Sequence, residues 1–383
     1  VLRHGSWARF QRVPYIPTTG TTRRGDRPAG HDGGDETLEA IMQTHRRQTG
    51  RPTLEQVAAR AGVGRGTVSR VINASPSVSP QTRAVVEQAI AELGYVPNRA
   101  ARALAGNRND AIALVVPEAE TRLFAEPYFS DIIRGVDAAL ADTDMQLLLT
   151  LSRTPKERKR LTQFLTAHRV DGVLLVSVHE DDPLPDLLVR VGMPAVLGGR
   201  RSGRESVSYV DSDNTGGARQ ATAHLLAPGR RAVATITGPS DMYVARCRLD
   251  GYREAMAAAG AAPDEALVGA GDFTEEGGAL AMRELLRRRP DIDAVFAASD
   301  VMAAGALRVL REAGRRVPDD VALIGFDDSV IARHTDPPLT SVRQPIQDMG
   351  RTMARLLLDH IRDATTVRRH VILDTQLVHR ASA

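Results

Sequence analysis

The chain has 383 residues, 42% hydrophobic and 25% charged, which is enough apolar material for two or three cores and too much for a disordered or fibrous protein. Cys247 is the sole cysteine, so an internal disulfide, a CxxC redox pair and a cysteine-rich zinc site are excluded, and a reducing cytoplasm fits. The net charge of +3 conceals an asymmetry: residues 1–108 carry 16 basic and 8 acidic side chains against 34 and 39 in 109–383, so a polyanion would meet the N-terminal part.

Residues 1–50 are rich in Gly, Arg, Thr and Pro without periodicity and are expected to be disordered. Met42, a short distance before Thr53, leaves open that they are not part of the natural product. Pro14, Pro17 and Gly20 interrupt any apolar run there, which argues against a secretory signal, and no run of the chain approaches membrane-spanning length.

A helical domain is expected over 51–97. Thr53 with Gln56 three residues on forms a capping-box start, and Leu54, Val57, Ala58 and Ala61 recur at helical spacing. Gly62 permits a sharp turn, Val63 plugs it, and a second helix from about Arg65 to Ile72 buries Val68, Val71 and Ile72. Its other face carries Arg65, Thr67, Ser69 and Arg70, donors suited to base edges and phosphates, with Gly66 allowing close approach. That is a helix-turn-helix with a recognition helix; an ordinary helical hairpin with solvated charges is the bland alternative. Ser79-Pro80 then starts a third helix, lined by Val85, Val86, Ala89, Ile90 and Leu93 and ended by Gly94. Residues 98–108 form a linker in which Asn98 to Gly106 spell a two-turn helix, too short to be stable without a partner. It is either a plain linker or a hinge that orders on DNA with Leu104 as a minor-groove wedge.

The run VAARAGVGRGTVSRVIN, its spacing to VSPQTRAVVEQAIAELGYVPNRAARALAG and the segment that follows closely resemble the LacI/GalR family of transcriptional regulators, from about Thr53 to the C-terminus. The resemblance implies base reading by Arg65, Gly66 and Arg70, and backbone contacts by Thr53, Leu54, Thr67, Ser69, Asn73, Tyr95 and Asn98. It places Ala101 among the DNA-contacting residues and Leu104 as the minor-groove lever. Gly64 stands where the family usually has a capping Ser, so a phosphate contact is expected to be missing, and Arg65 and Arg70 must carry more of the specificity.

Over 109–383, apolar runs alternate with amphipathic helices: runs at 111–117, 145–152, 172–178 and 194–199, with helices from Tyr128, Pro155 and about Pro183. A second series follows a break near Ser206 to Asp213, with helices from Asn214, Val244, Thr274 and Val301 and strands at 232–238, 294–299 and 321–328. Continuous apolar strands flanked by helices imply two doubly wound parallel α/β lobes. A helix at Ile346 to Asp363 and a strand near Val371 to Leu377 are expected to cross back between them. The family resemblance likewise implies a periplasmic-binding-protein-like effector domain.

Ligands of open parallel sheets bind outside the strands' carboxyl ends. Tyr128, Phe129, Arg248, Phe273, Ser299, Asp300 and Asp327 fall at such places, and carboxylates, an arginine and aromatic faces suit either a sugar or a nucleobase. The resemblance implies effector contacts for Phe129, Arg248, Phe273, Ser299 and Asp327, and VARCRLDGY looks more like the sugar-responsive members. The histidines show no metal spacing, and His179-Glu180-Asp181-Asp182 reads as a solvated loop. GxSxG, P-loop and GxGxxG motifs are absent, Cys247 reads as a half-buried packing residue, and neither enzymatic activity, a cofactor, a metal nor a membrane partner is expected. The expected protein is a cytoplasmic homodimeric repressor of carbohydrate-utilisation genes that binds a pseudo-palindromic operator and releases it on binding a small sugar; the alternatives are a regulator that needs a nucleobase-type co-repressor and a sugar-binding protein without a regulatory role. No leucine heptad follows Leu377, so a tetramerising C-terminal helix is not expected.

Overall fold

The computed structural model describes residues 52–72, 75–96, 109–203, 205–227, 229–261, 264–363, 365 and 367–383. The expectations for residues 1–50, for Asn73 and for the hinge segment with Asn98, Ala101 and Leu104 lie outside the described residues. Chain packing separates two compact units at the Pro97/Asn98 junction.

The first unit is a three-helix domain. Helix α1 (Leu54–Ala61) starts at a reciprocal capping box: the Thr53 hydroxyl accepts from the Gln56 amide, and the Gln56 side chain accepts from the Thr53 amide at 2.8 Å. Gly62, at φ 65°, ends it in the left-handed region that other residues enter only with strain. Helix α2 spans Arg65–Ile72, and α3 (Pro80–Leu93) is capped by Ser79 and stopped by Gly94. Val57, Ala58, Val68, Val71, Val86 and Ala89 close a small core with Tyr95. Val85 was expected in that core and instead faces solvent at 48% exposure, because Val86, about 100° further round the helix, takes the inward position.

The second unit holds two sheets of six strands. The first lobe contains β1 (Ala111–Val116), α4 (Glu120–Ala125), α5 (Pro127–Leu140), β2 (Gln146–Leu151), α6 (Pro155–Thr166), β3 (Gly172–Val176), α7 (Leu184–Arg190), β4 (Ala195–Gly198) and β5 (Ser208–Ser212). The second contains α8 (Asn214–Leu226), β6 (Val233–Thr237), α9 (Tyr243–Ala258), β7 (Val268–Ala270), α10 (Glu275–Arg288), β8 (Ala294–Ala297), α11 (Asp300–Glu312), β9 (Ala322–Asp327), α12 (Val330–His334) and β10 (Thr340–Arg343). Helix α13 (Ile346–Arg362) and β11 (His370–Leu373) return to the first lobe, and β12 (Gln376–Val378) ends in the second. The stretch expected as one strand is therefore two, one in each sheet.

The sheet orders are β11-β5-β4-β3-β1-β2 and β12-β10-β9-β8-β6-β7, parallel throughout except for the antiparallel β10–β12 pair. Every residue of β1 and β3 is buried, as two helix-covered faces require. In α5, Phe129, Ile132, Val136 and Leu140 form the buried stripe, each contributing roughly 1.5–3 kcal/mol by removal from water. The chain crosses between lobes at Asp213, at Gln344-Pro345 and at Asp374-Thr375, three short connections on one side of a cleft.

Candidate DNA-reading surface and effector cleft

In the helical unit, the core-facing stripe of α2 is spent on Val68 and Val71, which leaves Arg65, Gly66 and Arg70 exposed on the opposite side. The Arg70 guanidinium donates to the Gly66 carbonyl at 3.2 Å, and Arg65 meets Glu55 at 3.3 Å with both side chains largely in water. Such contacts are readily exchanged for a phosphate or a base edge. A Cβ added at Gly66 would meet no atom of the chain within 4 Å, so nothing in the fold of this domain requires glycine there. Thr67 and Ser69 are half-buried on the flanks of the helix. Thr53 is engaged in its cap, Leu54 packs against the core and Tyr95 is buried in it.

In the second unit, a cavity of about 810 Å³, counted to its open mouth, lies between the lobes at the carboxyl ends of both sheets. Six of the seven expected effector residues line it: Tyr128, Phe129, Arg248, Phe273, Ser299 and Asp327. Asp300 does not. It is fully enclosed behind the wall, where its carboxylate accepts from the Ser329 amide at 2.7 Å and from the Ser341 hydroxyl at 2.6 Å. Gly325 makes room for it, since a Cβ there would meet Asp300 Oδ1 at 2.3 Å.

Arg248 anchors the second lobe's wall. Its guanidinium donates to Asn214 Oδ1 at 2.9 Å and to the Ala298 carbonyl, lies 3.7 Å over the Phe326 ring and stands 3.6 Å from Asp327. Gln344, in a lobe-crossing connection, donates to Asp327 at 2.6 Å. Burial pushes the Asp327 carboxyl up although Arg248 opposes it, and Asp300, more enclosed and beside Asp327, is pushed up as well. Phe273 and Asp327 both have positive φ, at 67° and 110°, so the loops that hold them carry backbone strain at the cavity wall. The Phe273 ring fits only because residue 238 is glycine, where a Cβ would meet it at 2.2 Å.

Eight polar lining residues escaped the sequence reading: Arg122, Glu126, Ser177, Arg200, Asp211, Asn214, Ser329 and Gln344. Asp211 lies within β5 near its carboxyl end, so the strand-end rule that found Asp327 also covers it; Arg200 follows β4 in the same way. Arg122 lies within α4 and Glu126 caps its C-terminus, in a short helix whose apolar pattern is too brief to register. Burial raises Glu126 to about 7 against the pull of Arg122. Among the described residues the charged lining consists of three arginines, Arg122, Arg200 and Arg248, and three acids, Glu126, Asp211 and Asp327.

The loop 179–182, read as solvated, is instead tied across the cleft. His179 Nδ1 lies 2.7 Å from Asp241 of the opposite lobe and Nε2 lies 3.3 Å from Glu118 of its own. The Glu180 amide donates to the Asp241 carbonyl at 2.9 Å, and its carboxylate pairs with Arg246 at 2.6 Å. Hydrogen bonding to Glu118, reinforced by Asp241, raises His179 to about 9 although burial opposes it. Only the fold brings Glu118 and Asp241 to this histidine, since they are distant in the chain. Cys247 is buried and its thiol is raised by burial, consistent with a packing role. Among the described residues no group of acids, histidines and cysteine has metal-site geometry, and no helix is long and apolar enough to cross a membrane.

Residues 53–98 match the bacterial regulatory proteins of the lacI family, and residues 222–383 match the periplasmic binding protein-like domain. The HTH-type transcriptional regulator CelR of Thermobifida fusca is 58% identical over 334 residues, 87% of this chain and 98% of the relative. A solved CelR–cellobiose complex superposes with a TM-score of 0.70 at 56% identity, covering 87% of this chain and all of that one. A lac repressor dimer bound to operator and the anti-inducer ONPF superposes with a TM-score of 0.77 at 28% identity, over 87% of this chain and 99% of that one. With the helix-turn-helix, the two-lobed cleft and these likenesses together, the chain belongs to the LacI family of bacterial transcriptional regulators.

Proposed function

We propose that the chain is a homodimeric, sugar-responsive repressor acting on DNA in the cytoplasm, that a neutral sugar such as cellobiose fills its cleft, and that it has no catalytic activity. The observation that carries the reading is the cleft lining: three arginines offset by three acids, together with the aromatic residues Tyr128, Phe129 and Phe273. Such a wall supplies hydrogen bonds to hydroxyls and faces for stacking without favouring a charged ligand. Likeness to a regulator whose solved complex contains cellobiose supports the same ligand class.

Two copies are needed because one α2 helix reads few base pairs, and a two-fold dimer doubles the contacts on a pseudo-palindrome. In this reading Arg65 and Arg70 read base edges and the bare backbone at Gly66 approaches the groove. Thr53, Leu54, Thr67, Ser69, Asn73, Tyr95 and Asn98 position the domain, and Ala101 and Leu104 engage the minor groove. Sugar binding tightens the closure held by the three lobe crossings and the His179 contacts, and the altered dimer releases the operator. Selection of DNA fragments by the purified protein tests this: a two-fold symmetric consensus with strongly salt-dependent affinity is expected, and equal affinity for random DNA would contradict it.

A further inference from the structure

A second cavity lies in the first lobe on the opposite side of the loop that follows β3. It encloses about 520 Å³ to its mouth, between the facing sides of α6 and α7 and above the carboxyl ends of β1 and β2. Helix α6 turns Arg158, Leu161 and Thr162 toward it, and α7 turns Leu184, Leu187 and Arg190, spacings that place each trio on one helix face. Val115, Pro117 and Ser152 form the floor.

Its chemistry differs from that of the effector cleft. The walls are aliphatic, and two exposed arginines stand there: neither the Arg158 nor the Arg190 side chain forms a hydrogen bond or close ion pair with a described residue, and Arg190 acts on Asp186 only at longer range. Asp186, near Arg190 in sequence, is engaged by Arg201 at 3.0 Å. Asp182, the acid on the wall, accepts from the Leu184 amide at 2.9 Å. Ser152, 3% exposed as a residue, lies at the floor, where its hydroxyl has no hydrogen-bond partner among the described residues and is still reached by solvent. Lys156, Lys159 and Arg160 add positive charge on α6, also without an acid partner.

We propose that this cavity is a second ligand site, for an organic anion with a flat apolar body, specifically an aromatic carboxylate. The aliphatic walls cover the ring, and a planar guanidinium grips the carboxylate in two parallel hydrogen bonds. A ring hydroxyl satisfies Ser152. A sugar is a poor occupant, because most of its hydroxyls would face Leu161, Leu184 and Leu187 unpaired.

Calorimetric titration of the full chain with 4-hydroxybenzoate tests the proposal, with thermal unfolding run on every variant. Binding of one molecule per chain is expected, unaffected by saturating cellobiose, about tenfold weaker in Arg158→Gln/Arg190→Gln and unchanged in Lys156→Gln/Arg160→Gln, which removes as much charge away from the cavity. Leu187→Trp, which fills the space with an indole, abolishes it. Absence of binding at millimolar 4-hydroxybenzoate, displacement by cellobiose, or equal weakening in both double variants would overturn it.

Discussion

The arginines of the two units are used in opposite ways. Arg65 and Arg70 lie in water with only local, replaceable contacts, whereas Arg248 is enclosed and bound to Asn214, Ala298, Phe326 and Asp327 at once. Removing an exposed cation costs the fold little and leaves a partner unread; removing an enclosed one leaves a buried acid unneutralised. Reading DNA and sensing a ligand thus place different demands on one side-chain type, and stability measurements separate the two.

The largest effect is expected at the enclosed end of this contrast. Arg248→Ala leaves Asp327 without its cation and should lower unfolding stability by about 3–5 kcal/mol, with loss of sugar binding, as read by calorimetry and titration. At the exposed end, Arg65→Ala/Arg70→Ala should weaken operator binding by about a hundredfold or more while the melting temperature and sugar affinity stay unchanged. A parallel loss of stability would show that these arginines serve the fold.

His179 lies between the extremes, half-buried and shared by both lobes. Its pKa is raised to about 9 where it bridges Glu118 and Asp241, so its proton favours this contact between the lobes. The contribution is complete below about pH 6.5, declines above that and is gone once the pH exceeds about 9. Sugar affinity should therefore fall across this window, and the fall should be smaller in His179→Asn; identical pH profiles would remove the histidine from the closure. The smallest effect is expected at Gly66. Alanine there meets open space and should stabilise α2 by roughly 0.5–1 kcal/mol while weakening operator binding. Unchanged DNA affinity would mean that no close approach occurs at this position.

Much of this was legible in the chain because local rules and global packing agree. The Thr53 capping box, the Gly62 turn, the Ser79 cap and the apolar strand runs announce their elements, and Asp327 and Phe273 stand at strand ends where ligands bind. What failed depends on contacts distant in sequence. Asp300 resembles a ligand residue until Ser329 and Ser341 are seen to enclose it, and His179 resembles a solvated loop residue until Asp241 arrives from the other lobe. Val85 and Val86 are equally apolar, and only the position of α3 decides which is inward.

The most direct test is fluorescence anisotropy of labelled operator DNA bound to the purified protein, titrated with cellobiose. Release, with operator affinity lowered by about tenfold or more, is the expected result and should be lost in Arg248→Ala protein that remains folded. Unchanged or tighter operator binding at saturating cellobiose would contradict the account.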